Sequence, residues 1–400
     1  MRILQLMKWL SPREDTGGKI RACRIGRALS TFAQVDAAGF VPPCERVDGT
    51  EEHLSHYGRL FPFPAGRGVW MLRDTLAAFA GDLSLRSARF YSSKFKSFVE
   101  KILLENRYDA LQVEELPLMA ALDGLNPGIP VVFSAHNVES ELSPRLFRRR
   151  DPLFRLLADL ERRRTAKEER RAANRARACL VVSEGDRQAL GRLGAGSPVH
   201  VLPNCAQDRF RPSDSGFKGQ GLLAVGAFGW YPNVEGFLWF VDDVWPLIRK
   251  RSPGVALRVA GSGITGTCRK KMERRGIEVH GDVPDILPFL QGARLLVVPL
   301  RIGGGTRIKI VEAWAAGLPV VSTAQGAEGL PTRPETDILI ADDKAAFAAA
   351  VCRVLDDDGL YGKLRSEGLK NARQYRWSRL APSLEAVYRD ILENRRAEGS

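Results

Sequence analysis

Short apolar runs alternate with stretches of helical spacing along most of the chain, a pattern that predicts parallel sheets joined by crossover helices. In the first half the runs are RILQLM (2–7), DALQV (109–113), PVVFSAH (130–136), CLVVSE (179–184) and VHVLPN (199–204). In the second half they are LLAVGAF (222–228), VALRVAG (255–261), IEVHG (277–281), RLLVVPL (294–300) and PVVST (319–323), with a shorter DILIA at 337–341. Residues 31–80 show neither period clearly. Between the two sets, CAQDRFRPSDSGFKGQG is polar and carries Pro and Gly, the composition of a linker over 205–219.

The expected fold is therefore α/β, with two Rossmann-like, doubly wound domains facing a cleft. The N-terminal domain is expected over 1–204 and the C-terminal one over 220–377. A chain of 400 residues is also too long for one ordinary core. Ligands of such sheets bind beyond the carboxyl ends of strands, so strand-end loops are where function is expected. Helices are expected over 344–374 and 378–395. In the last one Leu380, Leu384, Val387, Tyr388 and Ile391 make an apolar stripe that needs a surface to pack on, and the N-terminal domain is the expected one.

The strongest chemical signal is PLRIGGGTRIKIVEAWAAGLPVVST, residues 299–323. Gly303, Gly304 and Gly305, followed by Thr306, lie between a strand and a helix. Consecutive glycines let backbone amides approach a ligand closely, and the first helical turn adds unpaired N–H groups and the positive end of the dipole. With Arg307 and Lys309 beside them, the expected guest is a phosphate or diphosphate. The loop fits neither the GxxxxGK[ST] pattern nor a GxGxxG followed by an acidic residue ending the next strand, since PVVST ends in Ser322 and Thr323. Glu312 shares a helix face with Ile308, Val311, Ala315 and Ala316, so its carboxylate points into apolar surroundings. An inward carboxylate needs hydrogen-bond donors. Ribose hydroxyls would serve, and so would a salt bridge to Lys309 or Arg307. Spacing leaves both open.

Composition narrows the classes. With 44% apolar and 27% charged residues the chain reads as globular and soluble, and no uncharged apolar run reaches membrane-spanning length. The N-terminal MRILQLMKWLSPRED is too short in apolar residues for a signal peptide and reads as a first strand. Six cysteines lie far apart without a CxxC pair, which suits reduced thiols in a cytoplasmic protein. The net charge of +13 is concentrated: residues 143–177 hold 13 Arg or Lys against 5 Asp or Glu. That segment is helical by composition and carries Leu146, Phe147, Leu153, Phe154, Leu156, Leu157 and Leu160. A solvated Arg-rich face and a face meeting anionic lipid headgroups are both open. No zinc spacing or aromatic nucleic-acid module accompanies the charge, so no nucleic-acid partner is expected.

Taken in order, DTGGKIR (15–21), SAHNVES (134–140), VVSEGDRQAL (181–190), VLPNCAQ (201–207), VGAFGWYPNVEGFLWF (225–240), VHGDVPDILPFLQGARLLVVPL (279–300), GGGTRIKIVEAWAAGLPVVST and GAEGL (326–330) resemble the retaining nucleotide-sugar glycosyltransferases of family 4, which have the GT-B fold. The resemblance covers essentially the whole chain and is greatest to bacterial sugar transferases of exported polysaccharides. It implies that Gly17 and Gly18 lie by the donor phosphates and acceptor, that His136 lies near the reacting sugar, and that Glu312 binds ribose as the second glutamate of E-x7-E. It further implies that Arg307 and Lys309 meet the diphosphate, that the backbone at Asp282 and Val283 meets the nucleobase, and that Trp230 and Asn233 line the cleft. Two features depart from the family. Gly304 stands where the first glutamate of E-x7-E is expected, and GAFGWYPNVEG replaces the usual Arg and Lys-Gly after a strand.

The function the resemblance implies is glycosyl transfer from a UDP- or GDP-sugar to a lipid-linked or saccharide acceptor at the cytoplasmic face of a membrane. The mechanism would be retaining, with front-face attack and the leaving phosphate accepting the acceptor's proton, and would need neither metal nor a further cofactor. In such chemistry relief of charge on the leaving diphosphate outweighs the need for a strong nucleophile. His136 would position or polarise the donor sugar, or else cap a strand end. Glu139, Glu141 and Glu184 read as helix-start residues. The competing classes are a nucleotide-sugar epimerase of similar build and a non-catalytic basic binding protein.

Overall fold

The computed structural model describes residues 1–42, 45–65, 80–146, 152–213 and 219–398. It divides into two compact units, one of residues 1–14, 18–203 and 380–400, the other of residues 15–17 and 204–379. Each is a fully parallel sheet with connecting helices, so the α/β, Rossmann-like expectation holds.

In the first unit seven strands run in the order β3-β2-β1-β4-β5-β6-β7. They are β1 (Arg2–Trp9), β2 (Gln34–Val41), β3 (Leu60–Pro64), β4 (Ala110–Glu114), β5 (Val131–Ser134), β6 (Ala178–Val181) and β7 (Val199–Val201). β4, β5 and β6 are buried along their whole length, as strands covered by helices on both faces must be. β2 and β3 fall in the stretch whose period was illegible, and the reason is physical. β2 reads QVDAAGFV, small residues around a buried Asp36 that is satisfied by Arg2 Nη2 at 2.7 Å, Tyr108 OH at 2.8 Å and the Arg59 amide at 2.9 Å. β3 contains two prolines, which an edge strand tolerates because one side has no ladder to supply.

The second unit has six strands in the order β10-β9-β8-β11-β12-β13. These are β8 (Leu222–Val225), β9 (Leu257–Gly261), β10 (Glu278–Gly281), β11 (Leu295–Val298), β12 (Val320–Ser322) and β13 (Leu339–Ile340). Its core gathers Phe237, Phe240, Trp245, Ile248, Val259, Leu295, Val297, Phe347 and Val351.

Three boundaries differ from the expectation. The segment read as a linker buries Cys205, Ala206 and Phe210, and Ala206 takes a backbone bond to Tyr375; residues 214–218 lie outside the described residues. The helix expected over 344–374 is two helices, Lys344–Asp356 and Asp358–Ala372, because Asp357 caps the Leu360 amide and restarts the chain. The last helix, Trp377–Glu398, buries Leu384, Tyr388 and Ile391, and within the first unit Tyr388 donates to Gln112 Oε1 at 2.5 Å.

Candidate functional site

β11 delivers the glycine loop in the second unit. Gly303 and Gly305 have φ of 152° and 69°, a region in which a side chain is strained. The next residue is tied down: Asn204 Nδ2 donates to the Thr306 carbonyl at 3.1 Å and to its hydroxyl at 2.9 Å. Arg307 precedes the helix Ile308–Ala315 and turns back so that its guanidinium donates to the Gly304 carbonyl. Lys309, in the first turn, reaches across to the end of β8. Its Nζ donates to the Val225 carbonyl at 2.6 Å and to Asn233 Oδ1 at 3.2 Å. Asn233 is itself held by a bond from its amide nitrogen to the Ala227 carbonyl at 2.8 Å. Burial and then the neighbouring Arg307 lower the Lys309 ammonium to about 7, against the opposing pull of Glu312.

Glu312 is 6% exposed and lies with Ile308, Val311, Ala315 and Ala316, all buried. Of the two partners that spacing left open, Lys309 commits hydrogen bonds to Val225 and Asn233. The structure thus brings Gly303 to Gly305, Thr306, Arg307, Lys309 and Asn233 around the ends of β8 and β11. Trp230, 38% exposed, caps the helix Tyr231–Trp239, and Val283 follows Asp282, a left-handed residue with φ of 53° after β10.

Sequence reasoning passed over residues on the adjacent loop. Gln325 Nε2 donates to the Gly303 carbonyl at 3.0 Å and also to the Glu328 carboxylate, which places that acid beside the glycine loop. GAEGL carries this glutamate in the sequence, but spacing alone does not show that the loop after β12 sets it against Gly303. A G-x-G-x-x-G, Gly261 to Gly266, was missed too, although it follows β9 and leads into the helix Gly266–Glu273. Its first two glycines admit neighbouring backbone: a Cβ on Gly261 would collide with the Gly226 carbonyl, and one on Gly263 would lie 2.8 Å from the Gly229 amide. The chain's D-x-D spacing, Asp356 to Asp358, is spent on ion pairs with Arg251 and Arg294 and on the helix cap at Asp357.

In the first unit His136 lies just past β5. Its Nε2 bonds Glu114 Oε2 at 2.8 Å, and its Nδ1 is 3.8 Å from Glu115 Oε1. Glu115 is in an ion pair with Lys8. Burial opposes its charge, but Lys8 and then His136 hold its carboxyl below the usual range. Gly18 stands against this cluster, since a Cβ there would be 3.1 Å from Glu115 Oε1 and 3.7 Å from His136 Nδ1. Gly17 belongs to the second unit, 4.0 Å by the same measure from the Ile308 side chain. Neither glutamate was singled out from sequence. The adjacent acids after an apolar strand were the available signal. Glu139, Glu141 and Glu184 do lie in first turns of helices, as read.

The basic segment runs from the end of the helix Glu139–Leu146 through the helix Pro152–Arg175, with Arg148 to Arg150 and Phe147 outside the described residues. Three of its acids turn inward. Glu161 accepts the Leu85 amide at 2.9 Å, Glu168 accepts the Ser87 hydroxyl at 2.6 Å, and Glu169 takes the amides of Glu139 and Ser140. With those charges withdrawn, the outward face is more basic than the composition says. Leu156, Leu157 and Leu160 stand on it at 68%, 50% and 41% exposure. Among the described residues no helix is long and apolar enough to cross a membrane, and no group of His, Cys, Asp and Glu could hold a metal ion. No disulfide joins the five described cysteines.

Known families match this chain in both of its units. Residues 60–208 match the family described as Glycosyltransferase Family 4, and residues 219–357 match Glycosyl transferases group 1. A Klebsiella pneumoniae protein described as an uncharacterized 44.6 kDa protein in a cps region is 26% identical over 137 residues, 32% of this chain and 35% of that one. The chain thus matches about a third of that relative's length. Among solved structures, a sucrose-phosphate synthase from Thermosynechococcus elongatus superposes with a TM-score of 0.73 at 16% identity, covering 98% of this chain and 100% of that one. Anabaena HepE in complex with UDP-glucose superposes at 0.67 and 15% identity, covering 99% and 100%.

Proposed function

The chain belongs to glycosyltransferase family 4 and has the GT-B fold, and on that premise we propose that it transfers a sugar from a UDP- or GDP-sugar to a lipid-linked or saccharide acceptor. The observation that carries this is the loop and helix at the end of β11, where Arg307 folds back on consecutive glycines at a helix N-terminus, Lys309 reaches to the end of β8, and a buried Glu312 follows within two turns. The diphosphate lies at Gly303 to Gly305 and Thr306, its charge offset by Arg307 and Lys309. Glu312 takes the ribose hydroxyls, and the backbone at Val283 meets the base. His136 positions or polarises the transferred sugar.

The reaction proceeds with retention and without metal, the leaving phosphate accepting the acceptor's proton. Fixed cations and a helix dipole stabilise that leaving charge more effectively than water would, since they need no reorganisation. A place in cell-surface polysaccharide assembly draws support from the relative named for a cps region. The protein works in the cytoplasm, at the inner face of the membrane, with the Leu156 and Arg-rich face of helix Pro152–Arg175 against anionic lipid.

The test is thermal denaturation with UDP, GDP, UDP-glucose and GDP-mannose. A ligand at about 100 times its Kd stabilises by about 2.7 kcal/mol, a shift of several degrees. The shift should vanish in Arg307→Ala and Glu312→Ala. Absence of any shift in the unmodified protein would sink the reading. Co-sedimentation with anionic but not neutral vesicles checks the membrane face, and equal pelleting with both would refute it.

A further inference from the structure

Glu114 and Glu115 are consecutive, so on a continuing strand their side chains would point to opposite faces. Here both carboxylates flank one imidazole, Glu114 at Nε2 and Glu115 at Nδ1. The reason lies in the backbone: Glu115 has φ of 71°, a left-handed conformation that a glutamate adopts at a cost. The chain turns at the end of β4 so that the two acids bracket His136.

Glu114 is fully buried and its hydrogen bonding is directional. Oε1 accepts Gln5 Nε2 at 2.8 Å and Gln112 Nε2 at 3.0 Å, and Oε2 meets His136 Nε2 at 2.8 Å. The orientation of both glutamines is set from behind. Tyr57 OH donates to Gln5 Oε1 at 2.7 Å, and Tyr388 OH donates to Gln112 Oε1 at 2.5 Å. Each amide therefore presents its N–H side to Glu114, which is left as the common acceptor. Oε2 is left facing the imidazole, and an N–H at Nε2 donating to it completes a set in which Glu114 accepts every bond. Nδ1 is then the ring atom turned toward Gly18, where a Cβ would already lie 3.1 Å from Glu115 Oε1 and 3.7 Å from Nδ1, so glycine keeps that side of the ring uncrowded.

We propose that Glu114 is the positioning residue of the transfer reaction. It fixes His136 as the Nε2–H tautomer, so that Nδ1 accepts a hydrogen bond from a hydroxyl of the donor sugar; the hydroxyl keeps its proton, the ring stays neutral, and the sugar is held in place as the glycosidic bond to the leaving phosphate breaks. The logic is that of a buried carboxylate behind a working imidazole. The role rests on the assignment of His136 to the donor sugar made above.

The experiment combines kinetics with nitrogen NMR. In Glu114→Gln, kcat for transfer from the preferred nucleotide sugar should fall 10- to 100-fold while the donor KM stays within about twofold. Combined with His136→Ala, the Glu114 change should cost nothing further, because it acts only through the ring. An unchanged kcat in Glu114→Gln, or multiplicative losses in the double variant, would overturn the proposal while leaving the glycosyltransferase reading intact. If the unmodified protein turns over no nucleotide sugar, the reading itself falls. Ring ¹⁵N shifts of His136 in the unmodified protein decide the geometry in either case and need no buried variant to fold. A protonated Nε2 with an unprotonated Nδ1 supports the proposal, and the reverse tautomer overturns it.

Discussion

Binding of a nucleotide diphosphate should draw a proton onto Lys309. A neutral amine has two N–H donors, and the Val225 carbonyl and Asn233 Oδ1 take both. A third N–H appears only on protonation and needs a further acceptor, which a diphosphate oxygen supplies. Without such an anion, burial and Arg307 lower the group from 10.5 to about 7. At pH 8 about 90% of Lys309 is then neutral, and at pH 6 only about 10%. An anion beside it restores the ammonium, so close to one proton is taken up per diphosphate bound at pH 8 and about 0.1 at pH 6. Affinity follows by linkage. It is flat below pH 7 and falls up to about tenfold per pH unit above it, until the bound-state pKa is reached.

UDP-glucose is the suitable probe because its phosphates do not titrate between pH 6 and 8. Calorimetry at each pH in buffers of different ionisation enthalpy gives proton uptake as the slope of apparent against buffer enthalpy. The expected slopes are about 0.9 at pH 8 and about 0.1 at pH 6. In Lys309→Met the pH 8 uptake should disappear with most of the affinity. Lys309→Arg should bind without uptake, since a guanidinium stays charged throughout. A slope near zero at pH 8, or the same slope in Lys309→Met, would refute the argument.

Other consequences are simpler to state. Glu312→Gln should weaken UDP-glucose binding by about 10- to 100-fold, the loss expected when a charged acceptor of hydrogen bonds is neutralised, and a change below twofold would remove the ribose from that position. Tyr388→Phe should lower stability by about 1–2 kcal/mol, because it strands the buried Gln112 carbonyl; chemical denaturation reads this directly. Burial raises Glu169 to about 8, so the folded state holds a proton that the unfolded chain releases near 4.5. Stability should therefore decline from pH 5 to pH 8 more steeply in the unmodified protein than in Glu169→Gln, and parallel melting curves across that range would contradict it. Replacing exposed Leu156 and Leu157 by Ser should reduce binding to anionic vesicles without changing turnover of a soluble acceptor.

The starts of most strands were legible, and their ends were not. VVFSAH, VVSE, LLAVGAF and PVVST each ran one to three residues beyond the observed ladders, which end at Ser134, Val181, Val225 and Ser322. Hydropathy carries on past a ladder because these loops are themselves partly buried. The overshoot is also where the chemistry sits: His136, Ser183 as a helix cap, Gly226 beside Lys309, and Thr323 bonded to the Leu300 carbonyl. β2 and β3 were illegible for opposite reasons. One hides a charged residue among small ones, and the other carries prolines that only an edge position admits.

The candidate site divides along the same line. The cations, the glycines and the inward face of Glu312 follow from residue type and helical spacing, which are local. The Glu114 and Glu115 pair does not, because it depends on a left-handed φ at a strand end and on β1 lying beside β4, which brings Gln5 opposite Gln112. A period-2 reading assigns adjacent acids to opposite faces and so predicts that at most one of them can meet a given ring. Residues that do both mark a place where backbone strain has been retained against the local preference of the chain. Such strain persists only when surrounding contacts over-determine it, and here they do so on every side: Lys8 at Glu115, two glutamines at Glu114, and a tyrosine behind each glutamine. Glu115→Gly and Glu115→Ala should both remove the carboxylate that meets Nδ1 and Lys8, but only the glycine relieves the strain of the turn; chemical denaturation should therefore find Glu115→Gly the more stable of the two, and equal stabilities would refute the strain.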